Sequence, residues 1–262
     1  MGAWLERWLA AGKPIDLDLM AKLTPHRYGH EYQDFEDGAR DFLRLLRLAD
    51  HLPICGLGWA LAEHSLWAQE NEYLAAQISR GASFEYADSG GFARILDNAL
   101  GRYGIDETHY EFKHRWGDLN NLSVEFDRFH PEYPKYSISA EQVIALVEVI
   151  TRWKRPMHLE CGPFDYFRDH HPLDRARRGI RWVGWVPFAL NPSDVPEAAR
   201  VQQMNGGTLI ATQMDFWQCF EHHPLYSKEA IERAQEVEIR LNLLGVLPTA
   251  VELDRGDWGV VR

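Results

Sequence analysis

The segment from residue 108 to residue 127, THYEFKHRWGDLNNLSVEFD, decides the predicted fold class. Apolar or aromatic side chains recur at every second position in residues 108–116 and again in residues 121–127. A period of two is typical of a β-strand with one buried face. Turn-forming residues separate the two runs, at Gly117-Asp118 and Asn120-Asn121. The segment therefore predicts an antiparallel β-hairpin.

The sequence ahead of this hairpin predicts helices. Apolar residues recur at intervals of three and four in residues 36–50, and residues 66–79 also suggest a helix, with Gly81 after it. A third helical pattern covers residues 91–103, and Gly104 follows it where a helix end would need a glycine. We expect three helices before the hairpin.

The second half of the chain mixes both patterns. Ser139 is a suitable N-cap for a helix over residues 140–153, and Ser227 is one for a helix that ends at Gly245. The remaining predictions are a strand at 157–161, an irregular stretch at 163–180, strands at 181–190 and 208–216, and a final strand at 247–253. Without strict β-α-β alternation, the α+β class is favoured. We predict an α+β fold with helices mainly in the N-terminal part, and an antiparallel or mixed sheet with a C-terminal helix.

Length and composition favour one domain. The chain has 262 residues, of which 45% are hydrophobic, and this is the balance of an ordinary globular protein. No Gly/Ser-rich or Pro-rich linker divides it. We expect a single domain over residues 1–262, with a subdivision near residues 130–137 as the alternative.

The cysteines and the apolar segments indicate the cellular compartment in which the protein is found. Cys55, Cys161 and Cys219 are odd in number and lack short spacings, which argues against a disulfide framework and a zinc site. The first residues lack the apolar core of a signal peptide, and no run approaches the ~20 apolar residues that cross a bilayer. We expect a cytoplasmic protein that does not enter the membrane.

The acidic charge is concentrated in one part of the chain. The formal net charge is −11, and residues 50–127 hold 13 Asp and Glu against 5 Lys and Arg. A net acidic chain is a poor direct ligand for nucleic acid, because phosphates are held by Lys and Arg. It is a plausible ligand for a basic protein, such as a nuclease that itself binds DNA.

Motifs of catalysis are missing from the sequence. It has no H-E-x-x-H, C-x-x-C or G-x-S-x-G pattern and no P-loop. His158 and Glu160 would share one face of a strand, with Cys161 on the other, but their spacing is not that of a usual metal site. We therefore predict no catalytic residues, no metal and no cofactor. The arginines between residues 168 and 181 could hold an anion or a partner's carboxylates, or pair with the acids among them.

Several short motifs carry a resemblance to a known family. They are Phe42-Leu43-Arg44-Leu45-Leu46, Trp182-Val183-Gly184-Trp185, Pro187, Gly207-Thr208-Leu209-Ile210-Ala211-Thr212, Ala234-Gln235-Glu236-Val237-Glu238-Ile239 and Gly245-Val246-Leu247-Pro248. The chain resembles the immunity protein 52 family over most of residues 28–253. TsiT-like immunity proteins of type VI secretion systems are the nearest kind.

The resemblance implies a non-enzymatic inhibitor, an antitoxin in the bacterial cytoplasm. Its partner would be a cognate polymorphic toxin, a nuclease effector with a restriction-endonuclease fold that is encoded next to it. The resemblance supplies no contact residues. Our candidates for partner binding come from the acid-rich region instead, and they are Glu63, Glu70, Glu72, Glu85, Asp88, Asp106 and Glu107.

Two alternatives remain open at this point. One is an uncharacterised hydrolase whose site uses His158 and Glu160 with the aromatic residues Trp182 and Trp185. The other is a scaffold or regulatory subunit of a bacterial assembly.

Overall fold

The computed structural model describes residues 15–24, 41, 44, 45, 48, 83–87, 90–97, 109–115, 120–129, 139–223 and 225–259. Within them the strands are β1 (Ile15–Lys22), β2 (Ser83–Ala87), β3 (Gly90–Asp97), β4 (His109–Arg115), β5 (Asn121–Phe129), β6 (His158–Pro163), β7 (Val183–Val186), β8 (Arg200–Met204) and β9 (Gly207–Ala211). The α-helices are α1 (Ala140–Trp153), α2 (Phe164–Asp169), α3 (Lys228–Leu243) and α4 (Ala250–Arg255), with a 3-10 turn at Pro192–Asp194.

All nine strands belong to one antiparallel sheet. Their order across it is β2-β3-β4-β5-β1-β6-β7-β9-β8. Strand β1 lies in the middle, where it pairs with β5 on one side and β6 on the other. The first described strand in the sequence therefore joins two halves of the sheet that come from distant parts of the sequence.

The predicted distribution of helices is wrong. The four α-helices whose bounds are described lie between residues 140 and 255, so the described helices are mostly in the C-terminal half and not mainly in the N-terminal part. The third predicted helix, at 91–103, overlaps β3 instead. Because β3 is paired with both β2 and β4, its backbone hydrogen bonds are satisfied across the sheet. Residues 41, 44, 45 and 48 are helical, as expected for 36–50.

Some predictions lie outside the described residues or fail locally. The helix expected at 66–79 and the subdivision expected near 130–137 fall outside them. The expected final strand at 247–253 is wrong, because Thr249 caps α4 through a reciprocal pair of bonds with Glu252. The stretch at 163–180, expected to be irregular, begins with α2.

Elements with strong local signals are confirmed. Strands β4 and β5 form the expected antiparallel hairpin. Helix α1 begins after Ser139, whose hydroxyl accepts from the Gln142 backbone N–H, and Ser227 caps α3 in the same way through Ala230. Strands β6, β7 and β9 lie within or beside the segments expected to be strands.

The sheet has two different faces because side chains alternate along each strand. One face packs against α1 in a large apolar core that includes Leu19, Leu159, Trp185 and Leu209. Burying each such side chain contributes roughly 1.5–3 kcal/mol. The other face, called the second face below, packs against α3 through a smaller cluster that includes Ile210. Where β1 and β6 cross this second face, most of the side chains are polar or charged.

Candidate functional site

The second face carries a row of polar side chains at the centre of the sheet. Lys22 of β1 is the register partner of His158 on β6, and Asp18 and Glu160 lie on the same side of these strands. The expectation that His158 and Glu160 share a face is confirmed, with Cys161 in the apolar core on the other side. Four ionisable groups of two adjacent strands thus meet beneath the segment that leads into β7.

Arg181 neutralises the inner part of this row. Its side chain is 3% exposed, and Nη1 donates to Asp18 Oδ1 and, at 3.0 Å, to the Gly162 carbonyl. Its Nη2 lies 3.6 Å from Glu160 Oε1. Burial lowers the pKa of Arg181, but the charges of Glu160 and Asp18 outweigh this effect and raise it. The guanidinium is therefore a permanent buried cation between two carboxylates.

Residues 178–182 lead into β7 and pass over the polar row, and we call them the covering segment. Glu238 of α3 holds this segment in place. It is fully buried, and its Oε1 accepts from the backbone N–H groups of Ile180 at 2.8 Å and Arg181 at 2.9 Å. Its Oε2 accepts from the Tyr166 hydroxyl at 3.1 Å and lies 2.8 Å from His171 Nδ1. Burial lowers the pKa of His171, but the hydrogen bond and charge of Glu238 outweigh burial and raise it.

His158 is held as a neutral imidazole. Its Nε2 lies 2.8 Å from the Gly179 carbonyl oxygen, and since that oxygen only accepts, Nε2 carries the hydrogen. Burial lowers the pKa of His158 to about 4. At neutral pH the second ring nitrogen, Nδ1, is therefore a hydrogen-bond acceptor.

A half-open cavity of about 240 Å³ lies beside this polar row. Its floor is formed by β1, β5 and β6, and its cover by Arg178 and α4. The lining residues are Met20, Lys22, Asn121, His158, Glu160, Arg178, Ala250, Leu253 and Asp254. We call this cavity the polar cleft.

The polar cleft is lined by two cations, Lys22 and Arg178. Lys22 Nζ lies 3.8 Å from Asp254 Oδ1, and the Asp254 side chain is 63% exposed. Burial is the largest influence on the pKa of Lys22, and together with the charge of Arg178 it lowers that pKa despite the opposing charge of Asp254. The Arg178 guanidinium lies 5.4 Å from the Phe167 ring, and within the described residues it makes no ion pair.

Three lining residues of the polar cleft hold buried polar atoms without a hydrogen-bond partner in the described part of the chain. They are Asn121 Oδ1, His158 Nδ1 and Glu160 Oε2. Burial raises the pKa of Glu160, although the charge of Arg181 opposes it. Most buried polar atoms in folded proteins are hydrogen-bonded, so three exceptions at one cavity indicate a place for a ligand.

The aromatic residues expected beside His158 and Glu160 lie elsewhere. Trp182 and Trp185 are fully buried in the core on the α1 side, and their indole N–H groups donate to the Gln213 and Met204 carbonyls, each at 2.9 Å. The structure does not bring them to the polar cleft. In the described ranges, no group of three or more His, Cys, Asp or Glu residues is placed to hold a metal ion.

Only one of the seven acids expected to bind the partner is among the described residues. Glu85 lies on β2, where its register partner is Phe92. The other candidates fall outside the described residues, and they are Glu63, Glu70, Glu72, Asp88, Asp106 and Glu107.

The arginines between residues 168 and 181 separate into different roles. Arg168 is exposed and pairs with Asp165 at 3.0 Å and Asp169 at 2.7 Å, which agrees with a self-paired surface. Arg181 is the buried cation described above, and Arg178 lines the polar cleft. These different roles could not be predicted from the sequence, because the sequence does not show which arginines are buried.

Comparison with known proteins leaves the family open. No family model matches the chain, and no curated protein matches it. The resemblance to the immunity protein 52 family therefore stays a hypothesis. In the described part of the chain, none of the helices is both long enough and apolar enough to cross a membrane.

Proposed function

We propose that this chain is a bacterial immunity protein that binds and neutralises a secreted toxin, a nuclease with a restriction-endonuclease fold. The observation that carries the proposal is the place of the acid-rich region in the sheet. Strands β2, β3 and β4 and most of β5 belong to residues 50–127, and they are four consecutive strands at one end of the sheet. The acid-rich region thus supplies one end of the sheet as a continuous stretch of the sequence, and most of its acids lie outside these four strands.

An acid-rich region at one end of the sheet suits a partner that binds DNA. A nuclease presents a positively charged surface to phosphates, and complementary potentials accelerate the encounter of two proteins. Edge strand β2, which carries Glu85, pairs with β3 alone within the described residues. Its other edge could take a strand of a partner, since an unpaired strand edge is a common site of main-chain recognition.

The inhibitor would act in the cytoplasm, where it would bind the toxin before the toxin cuts DNA. This action needs no chemistry in the inhibitor itself. The buried polar groups of Arg181 and Glu238 are used in hydrogen bonds and ion pairs that hold the fold together. The resemblance of the sequence motifs to immunity protein 52 supports the same reading.

Co-expression with the adjacent gene tests the proposal directly. The neighbouring protein would be expressed alone and together with this chain, which alone carries an affinity tag, and the eluate would be separated by size exclusion. We expect a neighbour that is toxic by itself and a stable complex when both are present. A harmless neighbour that does not co-elute would overturn the proposal and favour a scaffold or an enzyme.

Charge reversal then tests the acid-rich region of residues 50–127. The triple variant Glu85→Lys, Asp106→Lys, Glu107→Lys should slow association with the toxin by about tenfold or more at low salt and weaken its salt dependence. The matched control reverses three exposed acids of α3, Glu229, Glu232 and Glu236, and changes the net charge equally. Equal association rates for the two triple variants would exclude a directed role for the acid-rich region.

A further inference from the structure

We infer that the polar cleft binds a small zwitterionic molecule of the α-amino acid class. This site is separate from toxin binding, because it lies under α4 on β1, β5 and β6 and not at the β2 edge of the sheet. The inference rests on three features of the cleft: its two facing cations, its unpartnered acceptors and its charge balance.

The cations would hold the carboxylate of the ligand. Lys22 rises from the floor and Arg178 comes from the cover, so an anion between them would bridge the two layers of the cleft. The two cations are close enough that the charge of Arg178 disfavours protonation of Lys22. A carboxylate between them removes this repulsion and gives Arg178 the ion pair that it lacks among the described residues.

The acceptors would hold the ammonium group. His158 Nδ1 and Asn121 Oδ1 are acceptors in need of donors, and the buried Glu160 Oε2 also has no partner within the described structure. A primary ammonium has three N–H donors and no acceptor. It is therefore the group whose chemistry complements these atoms.

Charge balance and size narrow the ligand further. The cleft residues Lys22 and Arg178 are matched in number by Asp254 and Glu160, so a ligand without net charge leaves the balance unchanged. The volume of about 240 Å³ lies below the roughly 300–1,000 Å³ of sites for drug-sized molecules. Met20, Ala250 and Leu253 add an apolar wall for a side chain.

Calorimetric titration of the full chain with each of the twenty free L-amino acids tests the inference. Acetate and methylammonium, which carry only one end of the ligand each, are titrated in parallel. We expect at least one amino acid to bind more tightly than both half-ligands by about tenfold or more. Acetate binding as tightly as the best amino acid would reduce the site to an anion site and overturn the inference. So would the absence of binding up to about 10 mM for all twenty compounds.

Two variants locate the binding in the polar cleft. Arg178→Ala removes one cation, and we expect it to weaken binding by about tenfold or more. Its matched control is Arg175→Ala, an exposed arginine three positions away that does not line the cleft. Ala250→Phe fills the cleft from α4 and serves as the second variant if Arg178→Ala fails to fold. Unchanged affinity in either folded variant would place the ligand elsewhere and overturn the inference.

Discussion

Arg181 and Glu238 are joined by a hydrogen bond of 2.9 Å from the Arg181 backbone N–H to Glu238 Oε1. Arg181 has φ of 58°, a left-handed conformation that costs a residue with a side chain roughly 1–2 kcal/mol. The carboxylate of α3 holds this strained backbone while the Arg181 side chain turns under it to reach Asp18. One helix residue thus fixes the position of the cation that neutralises the centre of the second face.

Replacing Glu238 should therefore destabilise the fold strongly. Glu238→Ala leaves the donors of Ile180, Arg181, Tyr166 and His171 buried without their acceptor, and we expect a loss of about 3–5 kcal/mol in the free energy of unfolding. Urea denaturation followed by tryptophan fluorescence measures it. Glu232→Ala on the same helix is the control.

The control removes an exposed ion pair with Lys228, four residues earlier in the helix, and should change the free energy of unfolding by no more than about 0.5 kcal/mol. A loss below about 1 kcal/mol for Glu238→Ala would show that the four donors find water or other partners.

Protonation of His158 should make the protein less stable in acid. The imidazole of the unfolded chain takes a proton as the pH falls through about 6.5, whereas in the folded protein burial lowers its pKa to about 4. Between these pH values the unfolded state binds more protons, so stability present above pH 6.5 is lost as the pH falls towards 4. The loss through this group should be about 3 kcal/mol.

His158→Gln isolates this contribution. The pKa of His171 is raised, so His171 has the opposite sign and adds stability in acid that is lost as the pH rises through its folded pKa. Unfolding free energies measured from pH 4 to pH 7.5 should depend less on pH in His158→Gln than in the wild type. The exposed His222→Gln is the control, and equal pH profiles in all three proteins would contradict the buried neutral imidazole.

Arg181→Met should cost about 3–5 kcal/mol, because Asp18 and Glu160 then keep buried charge without a cation. The second substitution Asp18→Asn, made in the Arg181→Met background, should recover part of that loss.

Thermal unfolding of the single and double variants gives the coupling between the two residues. Arg168→Met removes an exposed arginine with its own acidic partners and should stay within about 1 kcal/mol of the wild type. Additive losses in the double variant would show that the Asp18–Arg181 pair contributes nothing.

The sequence predicts well those elements whose signals are local. The hairpin of β4 and β5 follows from alternation around turn residues, and α1 and α3 follow from the caps Ser139 and Ser227. These signals lie within a few residues of each other, so no knowledge of the tertiary fold is needed to use them.

Long-range pairing explains what the sequence could not predict. Phe92, Ile95 and Leu96 fit a helical face, but Gly90–Asp97 becomes a strand because β2 and β4 offer hydrogen bonds on both sides. Central strand β1 was not anticipated at all, and its register partners on β5 and β6 lie about a hundred residues or more away in the sequence.

The candidate site also combines features that local sequence patterns predict with features that depend on long-range contacts. Alternation along one strand predicts that His158 and Glu160 share a face. Topology alone brings together Arg181 and Asp18, which are 163 residues apart. Topology alone also places Arg178 and α4 over the same face. Trp182 and Trp185 are neighbours of the site in sequence, but they are packed on the other side of the sheet.

The close approach of Ile180 to β7 gives a last test of the covering segment. Gly184 is the register partner of Glu160, and a Cβ atom added there would lie 2.5 Å from Ile180 Cβ and 2.9 Å from the Leu159 carbonyl oxygen. Gly184→Ala should therefore displace the segment that Glu238 holds and cost about 1–3 kcal/mol or more. The comparison is Gly245→Ala, where a Cβ meets nothing within 4 Å but φ is 70°, so backbone strain alone should cost about 1 kcal/mol. Chemical denaturation measures both losses, and the His171 imidazole resonances in NMR spectra report whether its bond to Glu238 survives. If Gly184→Ala proved no more costly than Gly245→Ala and left those resonances unmoved, Ile180 would not pack against β7 as described.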